Sequence, residues 1–191
     1  MLYELVEKNR SYRSFDPACR LSEAELRGFA ACARITPSAA NRQCLRYRLC
    51  TSPEDMARVL PLLRWAAALP ERHFPPAGHE PPACIVLCHD KRVTDNTRAS
   101  AVDTGIAAQT ILLAAAEAGF GGCMIANFPP DALAAALALP EYLTPVLVIA
   151  LGRPDETVVL EDAAPGAPTA YYRDAENRHH VPKRTLGELI V

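Results

Sequence analysis

Apolar positions recur along the chain with two periods, and these divide it into helices and strands. Leu2 to Arg10 places Leu2, Leu5 and Val6 on one helical face. Leu21-Ser22-Glu23-Ala24-Glu25 carries a Ser and a Glu at capping-box spacing, and predicts a helix to about Ile35, ahead of Pro37. Leu45 to Cys50 alternates Leu, Tyr and Leu with Arg residues, the pattern of a half-buried strand. Pro53 opens another helix at a first-turn position, where its missing N–H costs nothing. A strand follows over Ala83 to His89. The dominant element is a helix from about Arg98 to Ala118, closed by Gly119. Its interior, from Gly105 to Ala116, is apolar nearly all round and therefore needs burial nearly all round. In a chain this small, that predicts a partner subunit covering one side, with Ala108 and Ala115 as interfacial positions. A short strand (Gly122 to Ile125), a helix (Pro130 to Leu137) and a strong strand (Pro145 to Leu151) come next. Beyond Gly152-Arg153-Pro154 the periodicity fades until Thr185 to Val191, so residues 155–191 read as an irregular C-terminal extension. Helices and strands do not alternate strictly, which predicts an α+β fold. The whole chain, 1–191, reads as one domain.

Between Pro61 and Pro82 the chain has six prolines together with Trp65, His73, Phe74, Gly78 and His79. This reads as an ordered excursion over a site, since long ordered loops are often functional.

Composition narrows the function. Half of the 191 residues are apolar and 22% are charged, which supports a packed core and excludes intrinsic disorder. Twenty Lys and Arg against 22 Asp and Glu leave a net charge of −2, with no basic excess to neutralise a run of phosphates, so no nucleic-acid partner is expected. The start of the chain lacks an apolar signal core behind a basic end. The most apolar stretch, Ile106 to Ala116, is about half a membrane span and holds Gln109, so no membrane partner is expected either. Seven scattered cysteines without a Cys-x-x-Cys pair suit a reducing cytoplasm.

Two segments carry candidate chemistry. Asn9-Arg10-Ser11-Tyr12-Arg13-Ser14-Phe15 offers two guanidiniums, hydroxyls and loose backbone N–H groups, the donor set of a phosphate dianion; taken alone, it suits a solvated helix end better. Pro37-Ser38-Ala39-Ala40-Asn41-Arg42-Gln43 combines small residues with Ser38, Asn41 and Gln43, whose donors and acceptors suit a planar heterocycle; it also suits an ordinary turn. Gly119-Phe120-Gly121-Gly122 follows a helix and leads into a strand, the reverse of a dinucleotide fingerprint, and reads as a helix cap and tight turn. His179 and His180 are adjacent and point apart on a strand, which is not metal-ligand spacing. Cys84 and Cys88 read as core thiols. No nucleophile elbow or P-loop is present.

The order of these pieces resembles the flavin-dependent nitroreductase family. Arg10-Ser11-x-Arg13-x-Phe15 is similar to that family's opening element, and Pro37-Ser38-x-x-Asn41-x-Gln43 to its polar loop. Asp103 to Gln109 through Gly119-Phe-Gly121 resembles its long helix and glycine turn. Pro145 to Arg153 resembles its late strand, and Lys183-Arg184 its basic C-terminal element. The sequence departs from the family at Gln43-Cys44-Leu45, where Gln-Pro-Trp is frequent, and at Ala126-Asn127, where Glu-Gly is frequent.

The resemblance implies an α+β homodimer, with a central mixed or antiparallel sheet flanked by helices, a long central helix at the dimer interface and FMN bound across each subunit interface. Carried over, Arg10, Ser11, Arg13, Lys183 and Arg184 hold the phosphate. Ser38, Ala39, Asn41 and Gln43 reach the flavin, and backbone around Gly122, Ile125 and Ala126 lies along the ring. NAD(P)H is then the reductant and a small planar molecule, such as a nitroaromatic or quinone, the acceptor, in ping-pong hydride transfer. No side-chain acid or nucleophile is required, since the chemistry belongs to the cofactor. Two alternatives are a flavin-binding storage or sensor protein, and another flavin reaction such as flavin reduction, dehalogenation or flavin fragmentation.

Overall fold

The computed structural model describes residues 1–191. Its central sheet comprises Leu45–Cys50 (β1), Ala83–Asp90 (β2), Gly121–Ile125 (β3) and Leu143–Gly152 (β4). The order is β1-β2-β4-β3, and every neighbouring pair is antiparallel. All eight residues of β2 are buried, so its alternating side chains feed two separate cores. Ala83, Ile85 and Leu87 meet one face; Cys84, Val86 and Cys88 meet the other.

Helices cover both faces. Leu2–Lys8 forms α1, Glu23–Arg34 forms α2, Pro53–Val59 forms α3, Thr97–Glu117 forms α4 and Pro130–Ala136 forms α5. Leu26 and Phe29 of α2 and Ile111 and Leu112 of α4 pack on the first face. Met56 and Val59 of α3 and Leu133 of α5 pack on the second, where Cys50, Cys84, Cys88 and Cys123 serve as small apolar side chains. The capping box forms as its spacing predicts: Ser22 Oγ accepts from Glu25 N–H and Glu25 accepts from Ser22 N–H. At the far end of α4, Gly119 takes φ 82° while Phe120 N–H reaches Ala115 O and Gly119 N–H reaches Ala116 O, the two bonds of a Schellman cap.

By length and composition α4 is apolar enough to cross a membrane, but eight of its residues are buried within the protein. Ala108 and Ala115 are among them, both fully buried against the first core. The expectation that they face a partner is therefore corrected. The outward face of α4 instead carries Val102, Gly105 and Ile106, with Val102 61% exposed.

The C-terminal region is also more regular than its sequence suggests. Val158–Asp162 (β5), Tyr172–Arg173 (β6) and His179–Lys183 (β7) form a second sheet, ordered β5-β7-β6, with β5 parallel to β7. Residues 155–191 are thus not irregular. The chain ends in Leu186–Leu189 (α6), behind Thr185 as its N-cap. The Pro61 to Pro82 excursion lies against this second sheet. Ala68 N–H donates to Tyr171 Oη at 3.4 Å, Arg72 to Asn177 Oδ1 at 2.7 Å, and Phe74 is buried beneath Arg173.

Candidate functional site

After α1 the N-terminal segment passes β3 and is tied to it at one isolated bridge. Ser11 bridges Gly122, and Tyr12 N–H donates to Gly122 O at 3.0 Å. Gly122 admits no side chain here, because a Cβ would stand 2.2 Å from Ala150 O. Phe15 is fully buried and pairs with Pro154, which fixes the register of the whole Arg-Ser-x-Arg-x-Phe segment.

The two arginines of this segment are held differently. Arg10 donates through Nη2 to Val6 O at 2.6 Å, while its buried Nε has no partner. Arg13 is buried, with its guanidinium 5.1 Å from the centre of the Tyr171 ring. Its Nη1 donates to Ser11 O at 3.3 Å and lies 3.1 Å from His179 Nε2, and its Nε also lacks a partner. Behind it, Glu156 accepts from the backbone N–H groups of Arg13 and Ser14 and pairs with the buried Arg173. Burial, then the charges of Arg13 and Arg173, push His179 down to about 4, so near neutrality its Nε2 accepts the Arg13 proton. Two guanidiniums thus share one carboxylate and one neutral imidazole. The cluster keeps a net positive charge and suits an anion.

The Pro37 to Gln43 loop is built by a different device. Ser38 Oγ donates to Asp103 on α4 at 2.7 Å and accepts from Gln43 N–H at 3.0 Å, while Ala39 N–H donates to Asp103 at 3.0 Å. Ala40, Asn41 and Gln43 take φ of 51°, 52° and 52°, the left-handed region disfavoured for non-glycine residues. Ala40, Asn41 and Gln43 are exposed, with Gln43 Nε2 donating to Asn41 Oδ1 at 3.1 Å. Beneath the loop is a cavity of about 190 Å³, lined in part by Ser38, Gln43, Tyr47 and Asp103.

The other candidates are spread out. Ile125 is buried at the end of β3, and Ala126 follows exposed. Lys183 closes β7, and Arg184 pairs with Glu188 at 3.4 Å. At about 3.3 Å per residue, Lys183 stands roughly 13 Å along β7 from His179. Sequence reasoning missed Glu156, Tyr171 and Arg173 and gave Asp103 no individual role. For Asp103 a signal existed: a lone carboxylate four residues before Ala107 and eight before Ile111, on the buried stripe of an apolar helix.

Comparison with known proteins agrees with this architecture. A nitroreductase family protein from Clostridium difficile 630 superposes with a TM-score of 0.68 at 21% identity, covering 98% of this chain and 95% of its own. A nitroreductase family protein from Clostridium novyi NT gives 0.67 at 25% identity, covering 81% of this chain and 86% of its own. A protein described as a nitroreductase in complex with FMN, from Exiguobacterium sibiricum 255-15, gives 0.67 at 18% identity, covering 82% and 89%. The sequence profile of the Nitroreductase family matches residues 6–153. The chain belongs to the nitroreductase family.

Proposed function

We propose that this chain is an FMN-dependent oxidoreductase that takes electrons from NAD(P)H and passes them to a small planar acceptor, such as a nitroaromatic or quinone. The observation that carries this reading is the pair of buried, unpartnered Nε–H groups of Arg10 and Arg13 on either side of Ser11. Buried donors of this kind are costly unless an acceptor meets them, and a phosphate dianion takes several at once. The residues present therefore fit FMN. When bound, FMN supplies two-electron hydride chemistry to both reactants.

In this reading Arg10, Ser11 and Arg13 hold the phosphate, joined by Lys183 and Arg184. Ala39, Asn41 and Gln43 form the wall for the ring, and backbone at Gly122, Ile125 and Ala126 lies beside it. The uncompensated charge of Arg13 favours negative charge nearby. The 190 Å³ cavity beneath the loop is below the ~300 Å³ typical of sites that enclose a small molecule. A second copy of the chain supplies the missing wall, and residues 1–191 act together as one unit in a homodimer. Six buried cysteines suit a reducing, cytoplasmic setting.

The direct test is the absorption spectrum of the purified protein, followed by titration with FMN and FAD and by NAD(P)H oxidation with a quinone. A yellow protein that prefers FMN and turns over supports the proposal. Stoichiometric FAD with no affinity for FMN overturns it, and bound FMN without turnover favours a storage or sensor role.

A further inference from the structure

Asp103 is a carboxylate on the buried face of α4, only 5% exposed, on a stripe it shares with the hydroxyls of Ser100 and Thr104 and with the apolar residues from Ala107 onward. Its hydrogen-bond partners are a hydroxyl, an amide and a thiol: Ser38 Oγ at 2.7 Å, Ala39 N at 3.0 Å and Cys44 Sγ at 3.9 Å. None of the three is a cation. Burying a carboxylate without an ion-pair partner is expensive, and it persists where neutral donors converge on it. Two of these donors begin the Pro37 to Gln43 loop. Ser38 Oγ passes the connection on by accepting Gln43 N–H at 3.0 Å, which ties the end of the loop to its start.

That closure spans three left-handed residues, Ala40, Asn41 and Gln43, none of them glycine. Such backbone is strained and holds only where its surroundings over-determine it. The hydroxyl of Ser38 is consumed inward, so it is not free for a ligand. The amides of Asn41 and Gln43 are left on the exposed side.

We infer that Asp103 is the positioning residue of this site: a clasp on α4 that locks the strained loop so that Asn41, Gln43 and the backbone around Ala39 present a fixed face to a planar ligand. The identity of that ligand rests on the flavin reading above; the clasp does not. Ser38 belongs to the clasp and not to the contact surface.

The test compares wild type with Asp103→Asn and Ser38→Ala by two independent readouts. Amide hydrogen exchange in the ligand-free protein reports the loop directly. Exchange at Ala39 and Gln43 should accelerate in both variants while the exchange of β2 stays slow. FMN and riboflavin titrations report the ligand face. Losing charge-assisted hydrogen bonds should weaken both ligands by about 10-fold, with their affinity ratio unchanged and the shape of the bound-flavin absorption band altered. Ala40→Gly, which adopts a positive φ without strain, should restore part of the lost affinity in the Asp103→Asn background. Should Asp103→Asn fail to fold, Ser38→Ala leaves the carboxylate bonded to Ala39 and carries the same readouts. Unchanged exchange and affinity would overturn the clasp, as would a loss confined to FMN. A wild-type protein that binds neither flavin overturns the ligand assignment alone, and the exchange data then decide the clasp.

Discussion

Arg10 and Arg13 lie three residues apart, but their substitutions separate two roles. Arg10 has one backbone bond and one unpartnered Nε, so its removal costs the fold little. A charge-assisted hydrogen bond is worth roughly 1.5–3 kcal/mol, so Arg10→Ala should weaken FMN about 10- to 100-fold. Riboflavin, lacking the phosphate, should bind both proteins alike; equal loss for the two ligands would show that Arg10 supports the fold instead. Arg13 is bound up with His179, whose shift is opposite in sign to that of its neighbour His180. His179 is held near 4 by burial and by Arg13 and Arg173, so the unfolded chain binds its proton at higher pH than the folded one. Its contribution is present above the unfolded value of about 6.5 and is lost as pH falls toward 4. His180 is raised by its hydrogen bonds to Asp174 at 2.9 Å and Glu161 at 3.2 Å, with Tyr172 stacked on it. Its contribution is present below about 6.5 and is lost as pH rises through the folded value. Melting temperatures across pH 4–9 should therefore show His179→Gln flattening the acid limb and His180→Gln flattening the alkaline one. Exchanged or parallel effects would contradict the assignment.

At the scale of elements, the tightest constraint is the contact of β3 with β4. An alanine at Gly122 would drive a Cβ into the Ala150 carbonyl at 2.2 Å and Leu112 at 2.9 Å, and backbone cannot give way as a side chain can. Gly122→Ala should cost about 3 kcal/mol, the upper end of overpacking, and lower the melting temperature by roughly 6–12 °C. A variant that melts with wild type would mean that β3 is free to shift. What the sequence made legible follows the same logic of local signals. The Ser22 and Glu25 capping box, Pro53 behind Ser52 and Gly119 after α4 are local chemistry, and each forms where its spacing predicts. The second sheet was not legible. Its pairing of β5 with β7 joins residues about twenty apart in parallel, β6 has two residues, and Pro165, Gly166 and Pro168 between them read as loop. The two candidate segments stood out as motifs, but not the direction of their side chains. Nothing in Pro37 to Gln43 says that Ser38 turns inward to a carboxylate 65 residues away.

The whole molecule exposes more surface than a chain of its size needs. Its 10527 Å² exceeds by about 1,600 Å² the roughly 8,900 Å² expected of a folded 20.7 kDa monomer. Exposed apolar side chains include Leu2 and Tyr3 of α1 and Val102 and Ile106 of α4, which α1 contacts, and separately Leu186 and Leu189 of α6. Summed over two copies that excess is about 3,200 Å², in the range of obligate homodimers rather than of a standard interface, and a two-fold dimer buries the same patch on both copies. The substitution that tests the proposed homodimer must strike the outward face of α4. Ala108→Asp and Ala115→Asp would place a charge in the core and unfold the chain, whatever its oligomeric state. Val102→Asp with Ile106→Asp should leave the monomer folded, because both side chains already meet solvent in a single copy. Placing unpaired charges in an interface costs several kcal/mol, enough to shift a dimer to monomers at micromolar concentration. Light scattering after size exclusion should show half the wild-type mass, with helical circular dichroism retained. Because the proposed ring-binding wall needs the second copy, these monomers should lose FMN and NAD(P)H oxidation together. A well-folded monomer that keeps its flavin and turns over at the wild-type rate would show that each copy carries a complete site.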